Sequence, residues 1–256
     1  MTHQTEVLPP RPPRARMSVI VCAFNEEATI AACLHSVLAQ TRPPDEVILV
    51  DNASTDDTAR VAGAIAGVRV VHEPRKGLTR AREAGRRAAT GDLLAWLDAD
   101  CRAPLCWLER MERRLSRPGV IAVSGPFRYY DWDWRGRLLL RAYDLTLAPL
   151  THWLVRDVAG RGAVLYGGNF AVRADRLAQI GGFDTSIEFH GEDTNLARRL
   201  HPLGRVALAR ECWMYTSARR YLAMGRLTVL RLYARNFWHE LVWQAPADTA
   251  HLDVRS

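Results

Sequence analysis

Two short acidic motifs place pairs of carboxylates at a spacing that suits metal binding or proton transfer. In "LLAWLDADCRAP" (93–104), Asp98 and Asp100 follow an apolar run, and in "HGEDTNLARRL" (190–200), Glu192 and Asp193 begin a helix-like segment. An Asp-x-Asp pair can hold Mg²⁺ or Mn²⁺, because these cations prefer hard oxygen ligands. A Glu-Asp pair can supply a general base, because neighbouring carboxylates separate their pKa values. Either motif alone is also typical of a turn or a helix cap.

The predicted strands and helices around these acids alternate regularly. Short apolar strands alternate with amphipathic helices, which predicts a mostly parallel sheet with helices on both faces. Ser54 is the expected N-cap of the second helix, and Asp51 and Asp98 each end a strand, the edge where open α/β sheets bind ligands. The predicted strands are 18–24, 46–51, 68–73, 93–98 and 119–125, and the predicted helices are 25–40, 54–67, 79–89 and 104–115.

The alternation breaks after residue 125 in a stretch rich in Trp, Tyr and Arg, and it returns with a strand at 163–173 and helices at 174–181 and 194–204. We therefore expect four parts along the chain. They are a flexible Pro/Arg-rich tail (1–16), a nucleotide-binding half (17–125), an acceptor-side half (126–215) and a C-terminal amphipathic helical segment (216–256).

Composition and missing motifs exclude several classes of protein. The chain has 256 residues, 48% hydrophobic and 25% charged, as an ordinary globular protein has. Its five cysteines lack paired metal-ligand spacing, so we expect neither a disulfide framework nor a zinc site. We expect the protein to lie in a reducing cytoplasm. The net charge of +7 is not accompanied by a nucleic-acid motif. We expect neither a signal peptide nor a membrane span.

Two common phosphate cradles are also missing. No GxGxxG follows the first strand, and no GxxxxGK[ST] occurs in the sequence. Nucleotidyl transfer also uses acids and Mg²⁺ on an α/β sheet, but it usually brings a glycine- and lysine-rich loop near the N-terminus. The acids at the strand ends therefore need another explanation.

Four segments, in order, resemble the family 2 glycosyltransferases. They are "VIVCAFNEEATIAACLHSVLAQ" (19–40), "VILVDNASTDDT" (47–58), "KGLTRAREAGRRAATGDLLAWLDAD" (76–100) and "GGNFAVRADRLAQIGGFDTSIEFHGEDTNLARRL" (167–200). The resemblance covers 17–215 and implies the GT-A fold, a nucleotide-sugar donor and transfer with inversion. Two positions depart from the family pattern: Cys22-Ala23-Phe24 stands where Pro-x-Tyr is frequent, and Asn52 where a second Asp is frequent.

The resemblance also implies roles for individual residues. The nucleotide contacts are Ala23, Phe24, Asn25, Glu26, Asp51, Lys76, Arg82, Asp98 and Ala99. A divalent cation, Mn²⁺ or Mg²⁺, is expected on Asp100 and Asp98, and Asp193 is the expected general base with Glu192 beside it. Contacts to the sugar or acceptor are expected from Gly168, Asn169 and His190, and contacts to the diphosphate from Arg219 and Arg220. Capping acids, solvated charges and a core aromatic are structural alternatives for several of them.

The expected partners follow from the same analysis. Asp51 can accept a hydrogen bond from the imide of uracil, which favours a UDP-sugar, and the acceptor is a glycan or lipid-linked hydroxyl. The stretches 131–155 and 221–243 combine leucines, aromatics and arginines. They suit peripheral contact with the inner face of an anionic membrane, or equally a homodimer face. No nucleic-acid partner is expected. A catalytically inactive nucleotide-sugar- or membrane-binding protein of the same fold is the alternative function.

Overall fold

A seven-stranded sheet forms the centre of the protein, for which the computed structural model describes residues 14–187 and 190–243. Most of the predicted tail, 1–16, therefore lies outside the described residues. The strand order is β3-β2-β1-β4-β7-β5-β8, and β6 and β9 form a separate parallel pair. The strands are β1 (Met17–Ala23), β2 (Glu46–Asp51), β3 (Val68–His72), β4 (Leu93–Asp98), β5 (Val120–Ser124), β6 (Phe127–Tyr129), β7 (Asn169–Arg173), β8 (Arg205–Leu208) and β9 (Met214–Thr216).

Only β7 runs against the direction of its neighbours in the described sheet. It lies between β4 and β5 and pairs antiparallel with both, with Phe170 opposite Trp96 on one side and Ser124 on the other. Because of this reversal, the start of β7 lies at the edge where the parallel strands end. The turn that precedes β7 is thereby brought beside Asp98, which ends β4.

Helices cover both faces of the sheet, and their apolar residues recur at helical spacing. In α4, for example, Trp107, Leu108, Met111 and Leu115 are buried on one side. The helices of this layer are α1 (Ile30–Leu38), α2 (Thr58–Gly63), α3 (Leu78–Ala88), α4 (Trp107–Leu115), α7 (Ala174–Gln179) and α8 (Glu192–Leu200). One core lies under α1, α2 and α4, and the second lies under α3, α7 and α8. Both faces are covered, as the alternation of the sequence predicts.

The first two helices begin later than their periodicity predicts. The polar residues before them hold the two loops to each other, so their backbone groups are satisfied without a helical turn. Asn25 has a left-handed φ of 52°, and its amide donates to Ser54 Oγ at 3.0 Å. Ser54 is therefore not the N-cap of α2, and Asp56 Oδ1 accepts from the Thr58 amide at 3.0 Å instead. The strand predicted at 163–173 is also shorter and comprises only β7.

A long excursion leaves the sheet after β5 and returns to it at β7. It spans residues 125–168 and contains β6, α5 (Trp134–Leu145), α6 (Leu147–Trp153) and one π-helical turn (Leu154–Val158). Both of its ends lie at the same edge of the sheet, because Ser124 Oγ donates to the Asn169 carbonyl at 2.8 Å. The sequence pattern predicts no helix in residues 125–168.

The C-terminal segment packs back on the domain rather than extending from it. It contains α9 (Arg219–Met224) and α10 (Arg226–Trp243). The buried carboxylate of Glu240 in α10 accepts from Asn195 at 3.0 Å and from Arg198 at 3.1 Å, both in α8. In residues 14–187 and 190–243, no helix combines the length and the apolar character that a bilayer crossing requires.

Candidate active site

A cavity of about 650 Å³ opens at the edge where the parallel strands end. It brings the two acidic motifs of the sequence into one space. The predicted residues on its wall are Phe24, Glu26, Arg82, Asp98, Ala99, Asp100, Gly168, His190, Glu192, Asp193, Arg219 and Arg220. The predicted residues that are not on its wall are Ala23, Asn25, Asp51, Lys76 and Asn169.

Two glycines allow the acidic motifs to approach each other. A Cβ on Gly168 would lie 2.1 Å from Asp98 Oδ2, closer than any atoms can pack. A Cβ on Gly167 would lie 2.9 Å from Glu192 Oε1 and 3.3 Å from Asp193 Oδ2. The Gly-Gly turn before β7 therefore separates the Asp-x-Asp motif from the Glu-Asp motif by little more than a backbone.

Arg82 links the two motifs electrostatically. Its guanidinium donates to Glu192 Oε1 at 3.0 Å, lies 3.8 Å from Asp98 Oδ1 and stands over the ring of Phe170 at 5.5 Å. The side chain is only 2% exposed. Burial alone would lower the pKa of Arg82, but Glu192 and Asp98 raise it overall. The residue is therefore a permanent cation between carboxylates, not one of the solvated charges of α3.

The Glu-Asp pair at the start of α8 holds protons more tightly than ordinary carboxyls. Burial, together with the neighbouring Asp193 charge, raises the pKa of Glu192 to about 7, although Arg82 opposes the change. Burial also raises the pKa of Asp193, whose Oδ1 accepts a hydrogen bond from the Thr194 amide at 2.7 Å. A carboxyl pair of this kind is suited to accepting a proton near neutral pH.

The Asp-x-Asp motif faces a cation supplied by the C-terminal segment. Arg219, the first residue of α9, lies 3.1 Å from Asp100 Oδ2 and donates to Glu26 Oε2 at 2.9 Å. Burial raises the pKa of Asp100 to about 6, and Arg219 opposes that rise. The expected diphosphate residue thus pairs with two acids of the site, and its neighbour Arg220 donates to Tyr233 Oη at 3.1 Å.

The residues at this edge fit a divalent cation in composition. Within the described residues, no three His, Cys, Asp or Glu side chains are grouped as a complete metal site. Mg²⁺ and Mn²⁺ do not require such a group, since one or two carboxylates suffice when waters and phosphate oxygens complete the ligands. The guanidinium of Arg219 beside Asp100 shows that the position accepts positive charge. Asp100 and Asp98 are the carboxylates that would hold the cation.

The residues expected around the base lie beside the cavity. Asp51 Oδ2 is 3.1 Å from His72 Nδ1, and its Oδ1 accepts from the Ser54 amide at 3.3 Å. The ammonium of Lys76 stands 4.1 Å from the ring centre of Phe24. Ala23 and Asn25 belong to the same edge, where the Asn25 side chain accepts from the Thr55 amide at 2.8 Å. Among these residues, Phe24 lines the cavity, whereas Ala23, Asn25, Asp51 and Lys76 do not.

The predicted sugar contact of Asn169 is wrong in this structure. The side chain is completely buried; it accepts from Trp107 Nε1 at 2.8 Å and donates to the carbonyls of Gly125 and Cys212, each at 2.9 Å. Its polar atoms are occupied by the fold, so it fixes the start of β7. His190 does lie on the cavity wall, edge-on to Tyr233 with the ring centres 6.1 Å apart.

The structure adds residues to the site that sequence reasoning missed. Thr216 Oγ donates to Asp100 Oδ1 at 3.4 Å, and Tyr166 Oη donates to Asp144 on the cavity wall at 2.8 Å. Burial raises the pKa of Asp144 to about 6. Asp144 lies in the excursion, where the sequence gives no periodic signal. Asn52, which stands where the family frequently has a second Asp, accepts a hydrogen bond from the Gly77 amide at 2.9 Å and so holds the start of α3.

The mostly parallel sheet, its reversed β7 and the acids at its edge define an α/β domain of the GT-A type. The sequence profile of glycosyl transferase family 2 matches residues 18–178. The chain belongs to that family.

Individual relatives agree with this assignment. Glycosyltransferase AglE of Haloferax volcanii is 29% identical over 197 residues, which are 73% of this chain and 62% of AglE. Glucosyl-3-phosphoglycerate synthase from Mycobacterium tuberculosis, solved with Mn²⁺, UDP and phosphoglyceric acid, has a TM-score of 0.62 at 24% identity and covers 90% of this chain and 78% of that one. The mannosyltransferase PcManGT from Pyrobaculum calidifontis, solved with GDP-Man and Mn²⁺, has a TM-score of 0.61 at 24% identity over 85% and 65% of the two chains. Both solved structures share the GT-A fold with this chain.

Proposed function

We propose that the protein is an inverting glycosyltransferase that moves a sugar from a nucleoside diphosphate to an acceptor hydroxyl. One observation carries the proposal: in a single cavity, the Gly167–168 turn separates the Asp-x-Asp carboxylates from the Glu-Asp pair. An inverting transfer needs a base on one side of the sugar and charge stabilisation of the leaving group on the other. This arrangement supplies both.

Each acidic motif has one task in this proposal. Asp193 removes the proton of the attacking hydroxyl, and Arg82 holds Glu192 beside it by the 3.0 Å hydrogen bond. Asp98 and Asp100 would hold Mn²⁺ or Mg²⁺, which would supply positive charge beside the leaving diphosphate. The two solved structures that contain Mn²⁺ and a nucleotide support the cation. Arg219 would turn from Asp100 toward the diphosphate, whose geometry suits a guanidinium.

We infer a uridine donor from Asp51. A carboxylate has about four acceptor sites, so an imide N–H can bind there in addition to its contacts with His72 and Ser54. The ring of Phe24, which lines the cavity, can stack on the base. The two solved relatives contain UDP and GDP-Man respectively, so a comparison of nucleotides is needed.

We further propose that the acceptor is a glycan or lipid-linked hydroxyl and that the protein contacts an anionic membrane peripherally. Large apolar side chains are exposed on α5, α6 and α10, including Trp134, Trp153 and Trp238. Arginines exposed on α5 and α10 complement anionic lipid. All five cysteines are free, which suits the reducing cytoplasm.

Thermal unfolding with nucleotides tests the proposed donor and cation. A ligand that binds only the folded state raises the melting temperature, so UDP with Mn²⁺ should stabilise the protein, and EDTA should remove most of the effect. GDP, dTDP and CDP serve as comparisons. A larger shift with GDP would refute the uridine assignment, and no shift with any nucleotide would favour the inactive binding protein of the same fold.

The Asp193→Asn variant separates binding from transfer. Loss of a general base lowers turnover by roughly 10²- to 10⁴-fold, measured as nucleoside diphosphate release, whereas the thermal shift with UDP and Mn²⁺ should persist. Asp175→Asn is the matched control, because this residue lies in the first turn of α7, outside the cavity wall, and its side chain is 70% exposed. Unchanged turnover in the Asp193 variant would refute the base assignment.

A further inference from the structure

The cavity extends well beyond the residues that the proposed transfer uses. The excursion contributes part of its wall, where Tyr166 donates a hydrogen bond to Asp144 at 2.8 Å. Helix α10 contributes another part. These two elements bring the polar Thr151 and Asn236 to the wall together with eight apolar side chains. We call the eight the apolar arm, and they are Leu140, Leu147, Val164, Leu165, Leu230, Ala234, Phe237 and Trp238.

Of the described wall residues that the excursion and α10 contribute, Asp144 alone is charged. The other charged side chains of the wall come from the end of β4, from the loops after β1 and β4, and from α3, α8 and α9, to which Arg220 belongs. Arg220 is turned to Tyr233 Oη at 3.1 Å. A nucleotide or a free glycan gains little from an apolar wall, because its hydroxyls and phosphates would lose water without finding partners. A hydrocarbon chain gains from each methylene that it buries there.

A second cleft, of about 270 Å³, adjoins the apolar arm at Trp238, which lines both. Val155 and Val158 of the π-helical turn and Leu241 of α10 also line this cleft. Apolar residues of α10 therefore line both the cavity that holds the carboxylates and the second cleft.

We propose that the apolar arm binds the hydrocarbon chain of a lipid acceptor, while the hydroxyl-bearing head of the lipid reaches Asp193. The proposal rests on the proposed transfer function and selects the lipid-linked class from its two acceptor classes. An isoprenoid and an acyl chain share this chemistry. The head is a neutral sugar or a phosphate monoester.

Two series of monomeric probes test the apolar arm. Methyl, hexyl and octyl β-glucoside vary the chain on a neutral head, and methyl, geranyl and farnesyl phosphate vary it on an anionic head. Each is titrated by calorimetry below its critical micelle concentration, with UDP and Mn²⁺ present. Within at least one series, affinity should rise by roughly fourfold for each methylene that becomes buried. Affinity that is independent of chain length in both series would overturn the proposal.

Two matched pairs of exposed leucines control for unspecific binding. Leu147→Gln in α6 and Leu230→Gln in α10 introduce an amide into the arm, and both should flatten the dependence on chain length. Leu150→Gln and Leu227→Gln alter the same two helices away from the cavity wall and should leave it unchanged. An equal loss in all four variants would overturn the arm as the binding site.

The design keeps the two proposals distinguishable. The thermal shift by UDP with Mn²⁺ reports the donor site, whereas the chain-length dependence reports the apolar arm. A retained nucleotide shift without chain dependence refutes the arm and leaves the transferase intact. Chain dependence without any nucleotide shift refutes the transferase and leaves an apolar binding site.

Discussion

Gly168→Ala is a sharp test of the site, because one added methyl group meets the carboxylate of Asp98, which we propose holds the cation. The new Cβ would lie 2.1 Å from Asp98 Oδ2, more than 1 Å short of a carbon–oxygen contact of about 3.3 Å. Asp98 must therefore move by about 1 Å. Its side chain is 44% exposed, so the movement is available without unfolding. A misplacement of this size costs about 100-fold in turnover.

The variant is assayed by nucleoside diphosphate release and by the thermal shift with UDP and Mn²⁺. We expect turnover to fall by about 100-fold and the cation-dependent part of the shift to shrink, while the melting temperature without ligand changes little. The matched control is Gly63→Ala in α2, where the nearest atom to the new Cβ is Val70 Cγ2 at 3.8 Å. Normal turnover in Gly168→Ala would refute the placement of Asp98 against the turn.

Four further predictions concern the buried charges, the fold and the membrane. Arg82→Met should lower the free energy of unfolding by about 3 kcal/mol in urea denaturation. Arg87→Met, at a position that is 71% exposed, should change it by only a few tenths of a kcal/mol. Equal effects of the two variants would contradict the buried contact of Arg82 with Glu192 and Asp98. Because burial and the neighbouring Asp193 charge raise the pKa of Glu192 above its ordinary 4.5, the folded state keeps a proton that the unfolded chain loses, so the free energy of unfolding should fall as the pH rises from 4.5 toward neutrality. A variant with Gln at this position should show a smaller fall, since the pKa of Asp193 is raised as well. Asn169→Ala should destabilise the fold by about 2 kcal/mol or more through its unpaired buried partners without weakening UDP binding to the protein that remains folded. In sedimentation with vesicles, the protein should bind vesicles that contain phosphatidylserine, more weakly as salt is added, and should bind pure phosphatidylcholine vesicles little. If the protein does not sediment with either kind of vesicle and is a dimer in solution, the exposed apolar helices would instead form a homodimer face.

The sequence predicts the sheet better than it predicts the helix starts. β2 and β4 have the predicted bounds, because each is a short apolar run ended by an acid. Helices α1 and α2 begin later, because Asn25, Ser54 and Asp56 bind the neighbouring loop or local backbone instead of starting a helix. Periodicity reports which face is buried, but it does not report which loops exchange hydrogen bonds.

The sequence also predicts only part of the candidate site. The motifs identified Asp98, Asp100, Glu192 and Asp193, which converge on one cavity. They assigned Asn169 to the sugar because an amide is chemically suited to it, yet the fold uses every polar atom of that side chain. The helices of the excursion were missed because their apolar residues face both the cavity and the outer surface, so that no single buried stripe repeats along the sequence.

The reversed strand β7 has a consequence for how the family can diversify. Since β5 ends and β7 begins at one edge of the sheet, the segment 125–166 leaves and rejoins the domain at neighbouring points, ahead of the Gly167–168 turn. Replacing this segment would exchange one wall of the cavity and leave β1, β2 and β4, which carry the proposed nucleotide contacts, in register. In the proposed reaction, acceptor preference can thus change by exchange of one segment without a change in strand order.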